Sequence, residues 1–482
     1  MNLDEYTGCD ATALSELLLN KKVTAAELAE LALTAIERVN PKLNAVIESF
    51  AERADRQFLK TLPDGPFTGV PMLNKDISCA EKGVTIEMGS ELTRGYIPTE
   101  DSTIFARLRN AGLVNLGRTT TPEFGLAGVT ESIIAGITRN PWDTDRTPGG
   151  SSGGSCAMVA AGVVPIASAS DGGGSIRSPA SHCGLVGLKP TRGRIPVGPG
   201  RAESNNGLGI AFAVTRSVRD CAALLEALHG PAPGDPYGIA PPSGPFLNEL
   251  QHQSQPLRIA YTTKPWSGLK PENEVCDGVI KALNILESNG HYIEEARPEF
   301  DFEQFMAATL EVWCANMTAG ADALAKFLKR NPSRGNLQSA TWAFYKHGQT
   351  LTAADLLNAL SAFNTVNRQF GAFFERYDVL VTPSCLTPAP EIGILDCNPP
   401  GEVDARAWND KVFQVDTFMP VYNTTGQPAI SLPLHQSKHG LPIGVQLASG
   451  FGDEATLFRL SALLEQEMPW GDRTPTVHAG MS

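Results

Sequence analysis

After Thr24, apolar residues recur every third or fourth position, and Leu28, Leu31, Ala32, Ala35, Ile36 and Val39 share one face. That spacing predicts an amphipathic helix. Thr24-Ala-Ala-Glu27 in front of it has the form of a capping box, in which the Thr and Glu side chains each accept from the other's backbone N–H, and Pro41 is expected to stop the run. From Gly69 to Arg194 the pattern changes. Short apolar runs at 70–73, 113–116 and 164–167 alternate with clusters of Gly and Ser, the pattern of strands joined by helices and glycine loops. The Pro- and Gly-rich stretch 231–245 predicts a linker or surface loop. Beyond it, 257–261 predicts a strand. Val275, Val279, Ile280, Leu283 and Leu286 then predict a helix with these residues on one face and Gly290 just past its end. Residues 300–376 are expected to be mostly helical and carry no nameable motif, and strands return at 379–381, 429–432 and 443–447. No internal repeat is present, so the whole chain is expected to fold around one mixed sheet covered by helices.

The bulk properties narrow the function classes. With 482 residues, 42% hydrophobic and 19% charged, the chain has ample material for a large core. A formal net charge of -13 disfavours nucleic acid and anionic membrane surfaces as partners. The nine cysteines are scattered and never form Cys-x-x-Cys, which argues against a disulfide framework and a zinc site and for a reducing compartment. The acidic start, Met1-Asn2-Leu3-Asp4-Glu5, does not read as a signal peptide, so cytoplasm is the expected location. The apolar stretch 156–169 is too short to cross a bilayer.

Three segments join a reactive side chain to a backbone that glycine permits: Gly69-Val-Pro-Met-Leu-Asn-Lys75, Gly149-Gly-Ser151-Ser-Gly-Gly-Ser155 and Asp171-Gly-Gly-Gly-Ser175. A serine hydroxyl needs a base to become a nucleophile, and its tetrahedral intermediate needs donors for the oxyanion. Three glycines before Ser175 can turn successive N–H groups into one concavity. The same run is also compatible with a plain tight turn or a phosphate loop. Lys75 ends a strand-like run; an unperturbed lysine titrates at about 10.4 and acts as a base only if burial or cationic neighbours depress that value. Its alternative is a surface lysine paired with Asp76. Gly149-x-Ser151-x-Gly153 formally matches the nucleophile elbow of α/β-hydrolases, but that turn follows a strand. The segment before Ser151, Asn140-Pro-Trp-Asp-Thr-Asp-Arg-Thr-Pro148, is loop-like, and His435, His439 and His478 sit in polar or terminal settings.

Taken in order, these segments resemble the amidase signature family. The likeness continues through Gly117-Arg-Thr-Thr-Thr-Pro-Glu123-Phe124, Thr138-Arg-Asn-Pro-Trp142, Gly184-Leu-Val-Gly-Leu-Lys-Pro-Thr-Arg-Gly193-Arg194, Asp378-Val-Leu-Val-Thr-Pro383 and Thr425-Gly-Gln-Pro-Ala-Ile-Ser431. It is weakest over about 295–375. The resemblance implies an α/β fold, one large domain spanning 1–482 with a central mixed, twisted sheet covered by helices on both faces. Within it, 69–194 would be the signature core, 295–375 a variable helical region on the substrate side, and 377–470 a return to the core. It further implies amide-bond hydrolysis through an acyl-enzyme, with Ser175 as nucleophile, Ser151 (after a cis peptide bond) as proton relay and Lys75 as base. The backbone N–H groups of Gly172, Gly173 and Gly174 would form the oxyanion hole, with no metal or organic cofactor. Gly172 departs from the pattern, since many relatives carry Thr, Ile or Ala there.

Gly136-Ile-Thr-Arg-Asn-Pro-Trp142 and Arg192-Gly-Arg-Ile-Pro-Val-Gly-Pro-Gly200 are most similar to the branch of the family that opens the 6-aminohexanoate cyclic dimer. That branch implies a small-molecule amide as substrate, with esters and carbamates as further candidates. It also places Cys314 at the acyl pocket, the alternative being an ordinary buried cysteine. Homodimers are common in the family. Two rival readings stand beside this one: the A subunit of a glutamine-dependent tRNA amidotransferase, whose Asp-Ser-Thr run is missing near Gly234-Asp235-Pro236-Tyr237, and an α/β-hydrolase esterase with Ser151 as nucleophile.

Overall fold

The computed structural model describes residues 1–481. Eleven strands form one sheet: β1 (Val46–Ser49), β2 (Pro71–Lys75), β3 (Val114–Thr119), β4 (Ile166–Asp171), β5 (Val186–Lys189), β6 (Ile210–Thr215), β7 (Arg258–Tyr261), β8 (Tyr292–Glu295), β9 (Val379–Pro383), β10 (Ala429–Gln436) and β11 (Pro442–Ser449). Their order in space is β1-β3-β2-β4-β6-β5-β10-β11-β9-β7-β8. The sheet is mixed. β2 runs parallel to both β3 and β4, and β7 parallel to β8 and β9, while the strands between are antiparallel. Strands on both sides of the irregular segment 231–245 join the same sheet, so the chain is one α/β domain.

This order positions the site. Because β3, β2 and β4 are parallel neighbours, their C-terminal ends, at Thr119, Lys75 and Asp171, open at one edge of the sheet. Such an edge is where ligands bind in α/β sheets, since the loops that leave it are free to carry side chains.

The predicted strands are all present; most run a few residues further than predicted, three of them starting one or two residues later, and the one expected at 257–261 is Arg258–Tyr261. Four others, β1, β5, β6 and β8, were not expected. β5 and β6 are buried along their whole length, which removes the in–out alternation that marks a strand in sequence; β8 is a short, largely exposed edge strand. The capping box forms at Thr24 and Glu27, but the helix, Ala25–Leu43, runs through Pro41 instead of stopping there. Proline's fixed φ is helical, and its missing N–H costs one bond in the last turn, on an exposed face. The helix Asn273–Ser288 buries Val275, Val279, Leu283 and Leu286, each worth roughly 1.5–3 kcal/mol relative to exposure. Ile280 is 42% exposed and belongs to the opposite face.

Residues 302–374 form three helices, Phe302–Leu328, Ser339–Gly348 and Ala353–Phe374. A fourth, Ala405–Val415, joins them: Leu310, Ala340, Phe344, Ala405 and Trp408 share one apolar cluster with Ala127 and Val129. The helical layer thereby sits against the loops that leave β3. Among the described residues no helix is long and apolar enough to cross a membrane.

Candidate active site

Lys75 is the last residue of β2 and is 1% exposed. Its backbone N–H donates to Ser168 Oγ on β4 at 2.8 Å, and Ser168 in turn donates to Asn74 Oδ1 at 2.6 Å, which locks the two strand ends together. The Nζ reaches three hydroxyls, Ser151 Oγ at 2.8 Å, Ser152 Oγ at 2.9 Å and Ser170 Oγ at 3.0 Å. No carboxylate touches it among the described residues. Asp76, the partner offered by the sequence, turns away and pairs with Arg118 at 2.7 Å. Burial therefore pulls the Lys75 amine down from 10.5 to about 7, because the charged form loses its hydration without gaining a counter-ion in contact.

Ser151 sits in the loop that enters the helix Gly153–Ala160, and the Gly150–Ser151 peptide bond is cis. Thr121 Oγ1 donates to the Ser151 carbonyl at 3.0 Å. Position 150 must be glycine: a Cβ there would lie 2.6 Å from the Val129 carbonyl oxygen and 2.7 Å from that of Ala127. No strand leads into Ser151; residues 138–150 are irregular apart from one isolated bridge at Arg146. This removes the strand–turn–helix that a nucleophile elbow requires. The late histidines pack elsewhere, His435 against Gly278 and His478 against Gly162. The C-terminal segment is docked and not frayed, through Val477 N–H to Pro141 O and Ala479 N–H to Ala161 O.

Ser175 follows the turn that leaves β4. The turn is held by a fully buried ion pair, Asp171 with Arg177, in which Nη2 and Nε each lie 3.0 Å from a carboxylate oxygen. Gln446 Oε1, Asn423 Oδ1 and the Met419 carbonyl accept the remaining guanidinium N–H groups at 2.8, 2.7 and 3.1 Å. The guanidinium and these hydrogen bonds hold the Asp171 carboxyl well below the usual carboxylate range, against its burial. Gly174 N–H donates to Asp171 Oδ1 at 2.8 Å, and Ile176 N–H to Oδ2 at 3.1 Å. Gly174 is thus committed to holding the turn, with φ +136 and Met419 Sδ 2.8 Å from where a Cβ would stand. Among the described residues, Gly172 and Gly173 keep their N–H groups unpaired.

Ser175 lines a narrow cavity of about 30 Å³ with Gly173, Trp313, Phe344, Phe413 and Asp416. Gly125, which also lines it, lies against Ser151: a Cβ there would be 3.2 Å from Ser151 Oγ. The loop from β3 therefore passes between Ser151 and the cavity that Ser175 lines. The space that side chains at Gly172 and Gly173 would need is filled by aromatic rings. A Cβ at Gly172 would lie 2.9 Å from the Trp313 ring, and one at Gly173 would lie 3.0 Å from Phe413.

Cys314 is not part of this wall. It is fully buried among Leu310, Met317 and Phe344, and burial pushes its thiol far above the ordinary range. Its neighbour Trp313 faces the cavity instead, since successive helical residues point about 100° apart. The sequence reading missed Ser152, Ser170, Trp313 and Asp416. The first two were visible as serines near the motifs, whereas the last two lie in segments without any motif. Among the described residues no group of three His, Cys, Asp or Glu side chains is placed to hold a metal ion.

Residues 27–458 match the family model described as Amidase. The chain is 35% identical over 479 residues to the 6-aminohexanoate-cyclic-dimer hydrolase of Paenarthrobacter ureafaciens, covering 97% of this chain and 96% of that one. The solved structure of 6-aminohexanoate cyclic dimer hydrolase complexed with substrate superposes with a TM-score of 0.93 at 32% identity, over 98% of this chain and 99% of that one. A bacterial aryl acylamidase of the amidase signature family superposes with a TM-score of 0.86 at 25% identity, over 96% and 97% of the two chains. With the sheet, the serine loops and these end-to-end matches in agreement, the chain belongs to the amidase signature family and is a hydrolase acting on amide bonds.

Proposed function

We propose that the chain cleaves carboxamides with Ser175 as nucleophile, Ser151 as proton relay and Lys75 as base, by way of an acyl-enzyme. The observation that carries this reading is the 2.8 Å contact between Ser151 Oγ and a lysine sealed from water whose pKa is drawn to about 7. A base with a pKa near the working pH combines a large deprotonated fraction with enough basicity to take a proton. Neutral Lys75 takes the Ser151 proton while Ser151 takes that of Ser175. The Ser175 oxygen then bonds to the amide carbon, and the negative charge moves to the carbonyl oxygen. The free N–H groups of Gly172 and Gly173 are the donors for that oxygen. The proton returns along the same path to the leaving nitrogen as the C–N bond breaks, and water repeats the sequence on the acyl-enzyme. Asp171 and Arg177 act through the turn they hold and touch no reacting atom.

The aromatic wall of Trp313, Phe344 and Phe413 supports a substrate with an apolar or aromatic portion beside the scissile bond. The same acyl chemistry extends to activated esters and carbamates, whose carbonyl carbons accept the same attack. Nine scattered cysteines, all free thiols, support a reducing, cytoplasmic setting.

The test is a panel of anilides, carbamates, linear and cyclic amides and simple esters, followed by product release and intact mass. Wild-type protein is expected to accumulate an acyl adduct that maps to Ser175. Ser175→Ala should fold, form no adduct and lose at least about 10³-fold in turnover. An Ser175→Ala protein that turns over at the wild-type rate overturns the assignment.

A further inference from the structure

Glu123 is a buried acid that the relay does not use. It is 4% exposed, and both carboxylate oxygens accept hydrogen bonds, Oε1 from Ser90 Oγ at 2.6 Å and Oε2 from the Gln338 backbone N–H at 2.7 Å. Ser90 belongs to the loop after β2, Gln338 immediately precedes the helix Ser339–Gly348, and Glu123 stands in the loop that leaves β3. One side chain thus ties two loops of the sheet edge to the helical layer. Burial lifts its carboxyl to about 7; Ser90, Thr341 and the Gln338 N–H only partly offset this, and Glu91 adds to it. A carboxyl kept out of water against that cost calls for a use.

The backbone beside it shows what is held. Phe124 has φ 50 and ψ 19, in the left-handed region that a bulky side chain avoids, and Gly125 follows with φ 69. Such a conformation persists only where its surroundings enforce it. Here Phe124 N–H donates to Met88 O at 2.8 Å, and Gly89 approaches so closely that a Cβ there would lie 2.6 Å from Thr121 O and 3.0 Å from Glu123 N. The turn also closes on itself, through Gly125 N–H to Pro122 O at 2.9 Å and Leu126 N–H to Glu123 O at 3.1 Å. This segment wraps the peptide that carries Ser151. Thr121 Oγ1 donates to the Ser151 carbonyl, and a Cβ at Gly125 would be 3.2 Å from Ser151 Oγ. Both contacts lie two residues from Glu123, one on each side.

We infer that Glu123 is a positioning residue of the proton relay: by clamping the turn 122–126 to Ser90 and Gln338, it holds Gly125 against Ser151 Oγ and so directs that hydroxyl between Lys75 and Ser175. This rests on the reading of Ser151 as the relay. Hydrogen bonding, and not charge, is the working property. Glutamine can therefore replace Glu123: its amide oxygen accepts from Gln338 N–H, and its amide nitrogen donates to Ser90 Oγ, whose own proton turns to Asn336 O, 3.4 Å away. Leucine has a similar volume and offers neither contact.

The test is a double-mutant cycle between Glu123 and Ser151. It is read as kcat and KM on heptanoyl para-nitroanilide and on the para-nitrophenyl ester of the same acid, whose better leaving group keeps slow variants measurable. Glu123→Leu is expected to lower kcat on the anilide by roughly 10- to 100-fold, with KM within about twofold of wild type. Glu123→Gln should recover most of that loss, and Ser90→Ala, which keeps the Gln338 contact, should lose about threefold. In a Ser151→Ala background, Glu123→Leu should cost no more than about twofold further, because the hydroxyl it directs is gone. Wild-type rates in both Glu123→Leu and Ser90→Ala, a Glu123→Gln protein as impaired as Glu123→Leu, or equal losses with and without the Ser151 hydroxyl overturn the inference. Where Glu123→Leu does not fold, Ser90→Ala carries the same cycle. A wild-type rate for Ser151→Ala alone would sink the relay reading, whereas a large Ser151→Ala effect with additive losses would sink only the role of Glu123.

Discussion

The surroundings of Lys75 and the wall of the neighbouring cavity are built from different materials. Around Lys75 the contacts are hydroxyl and main-chain groups carried by strand ends and by the loop between them: Ser151, Ser152, Ser168 and Ser170. Around the cavity at Ser175 stand Trp313, Phe344, Trp408 and Phe413, contributed by three helices outside the sheet. The first side derives its geometry from the sheet's backbone hydrogen bonds, which tolerate little displacement. The second derives its geometry from side-chain packing, which can be remodelled by substituting one ring at a time. The same architecture can therefore keep one chemistry while its substrate wall changes.

The sharpest way to break this contrast is on the strand side. Lys75→Met keeps most of the buried volume but removes the base, and turnover of a heptanoyl anilide is expected to fall by about 10³-fold, within the range for lost acid–base catalysis. The fold should survive, as circular dichroism and the unfolding midpoint would check. A comparably active Lys75→Met protein would remove the base from the mechanism.

The pH profile carries the next largest effect. With Lys75 as the proposed base, the active form is the neutral amine, and because its pKa is lowered to about 7, the amine is protonated and inactive below that value. The kcat/KM of wild-type protein should drop about tenfold per pH unit below 7 and level off above it. A flat profile down to pH 5 would contradict the role of Lys75.

The contact between the two sides can be sharpened at Gly172. Its φ is not in the left-handed region, so Gly172→Ala suits the backbone, yet the new Cβ would meet the Trp313 ring at 2.9 Å. Either the ring or the oxyanion turn must shift, and a loss of about tenfold in kcat/KM is expected, since misplacement by a fraction of an ångström weakens a preorganised site. Trp313→Ala in the same chain should recover part of that loss. No recovery would place the damage in the turn alone.

The smallest effect is expected one residue away from the wall. Cys314→Ala should cost roughly 1 kcal/mol of stability as a buried large-to-small change and leave kcat/KM within about twofold. A strong change in substrate preference with unaltered stability would return Cys314 to the pocket.

The difference between these sites also explains which parts were legible. Lys75, Ser151 and Ser175 lie in short segments where the reactive residue and its glycines are neighbours in sequence, so each could be read locally. The engagement of Gly174 N–H could not, because it depends on which way the Asp171 carboxylate turns, and Arg177 on the next helix settles that together with Asn423 and Gln446, which come from a helix and a strand far along the chain. Trp313 and Cys314 were exchanged for a simpler reason. The helix Phe302–Leu328 is apolar on more than one face, and sequence spacing alone does not say which face meets the sheet and which the cavity. β5 and β6 escaped because strands buried on both faces look like any apolar run, whereas β2 and β4 were announced by the glycines around them.

From its own order of residues the chain determined the reactive groups, the glycines that let loops pass close to one another, and the mixed α/β character of the fold. Each of these follows from local backbone preference and periodicity, which neighbouring residues decide. Only the tertiary structure decided that the Lys75 amine loses its water, that it meets a hydroxyl 76 residues away, and that aromatic side chains from three helices line the cavity at Ser175. Desolvation has no local signature: it requires segments far apart in sequence to exclude solvent together, and the lowered pKa of Lys75 exists only once they have done so.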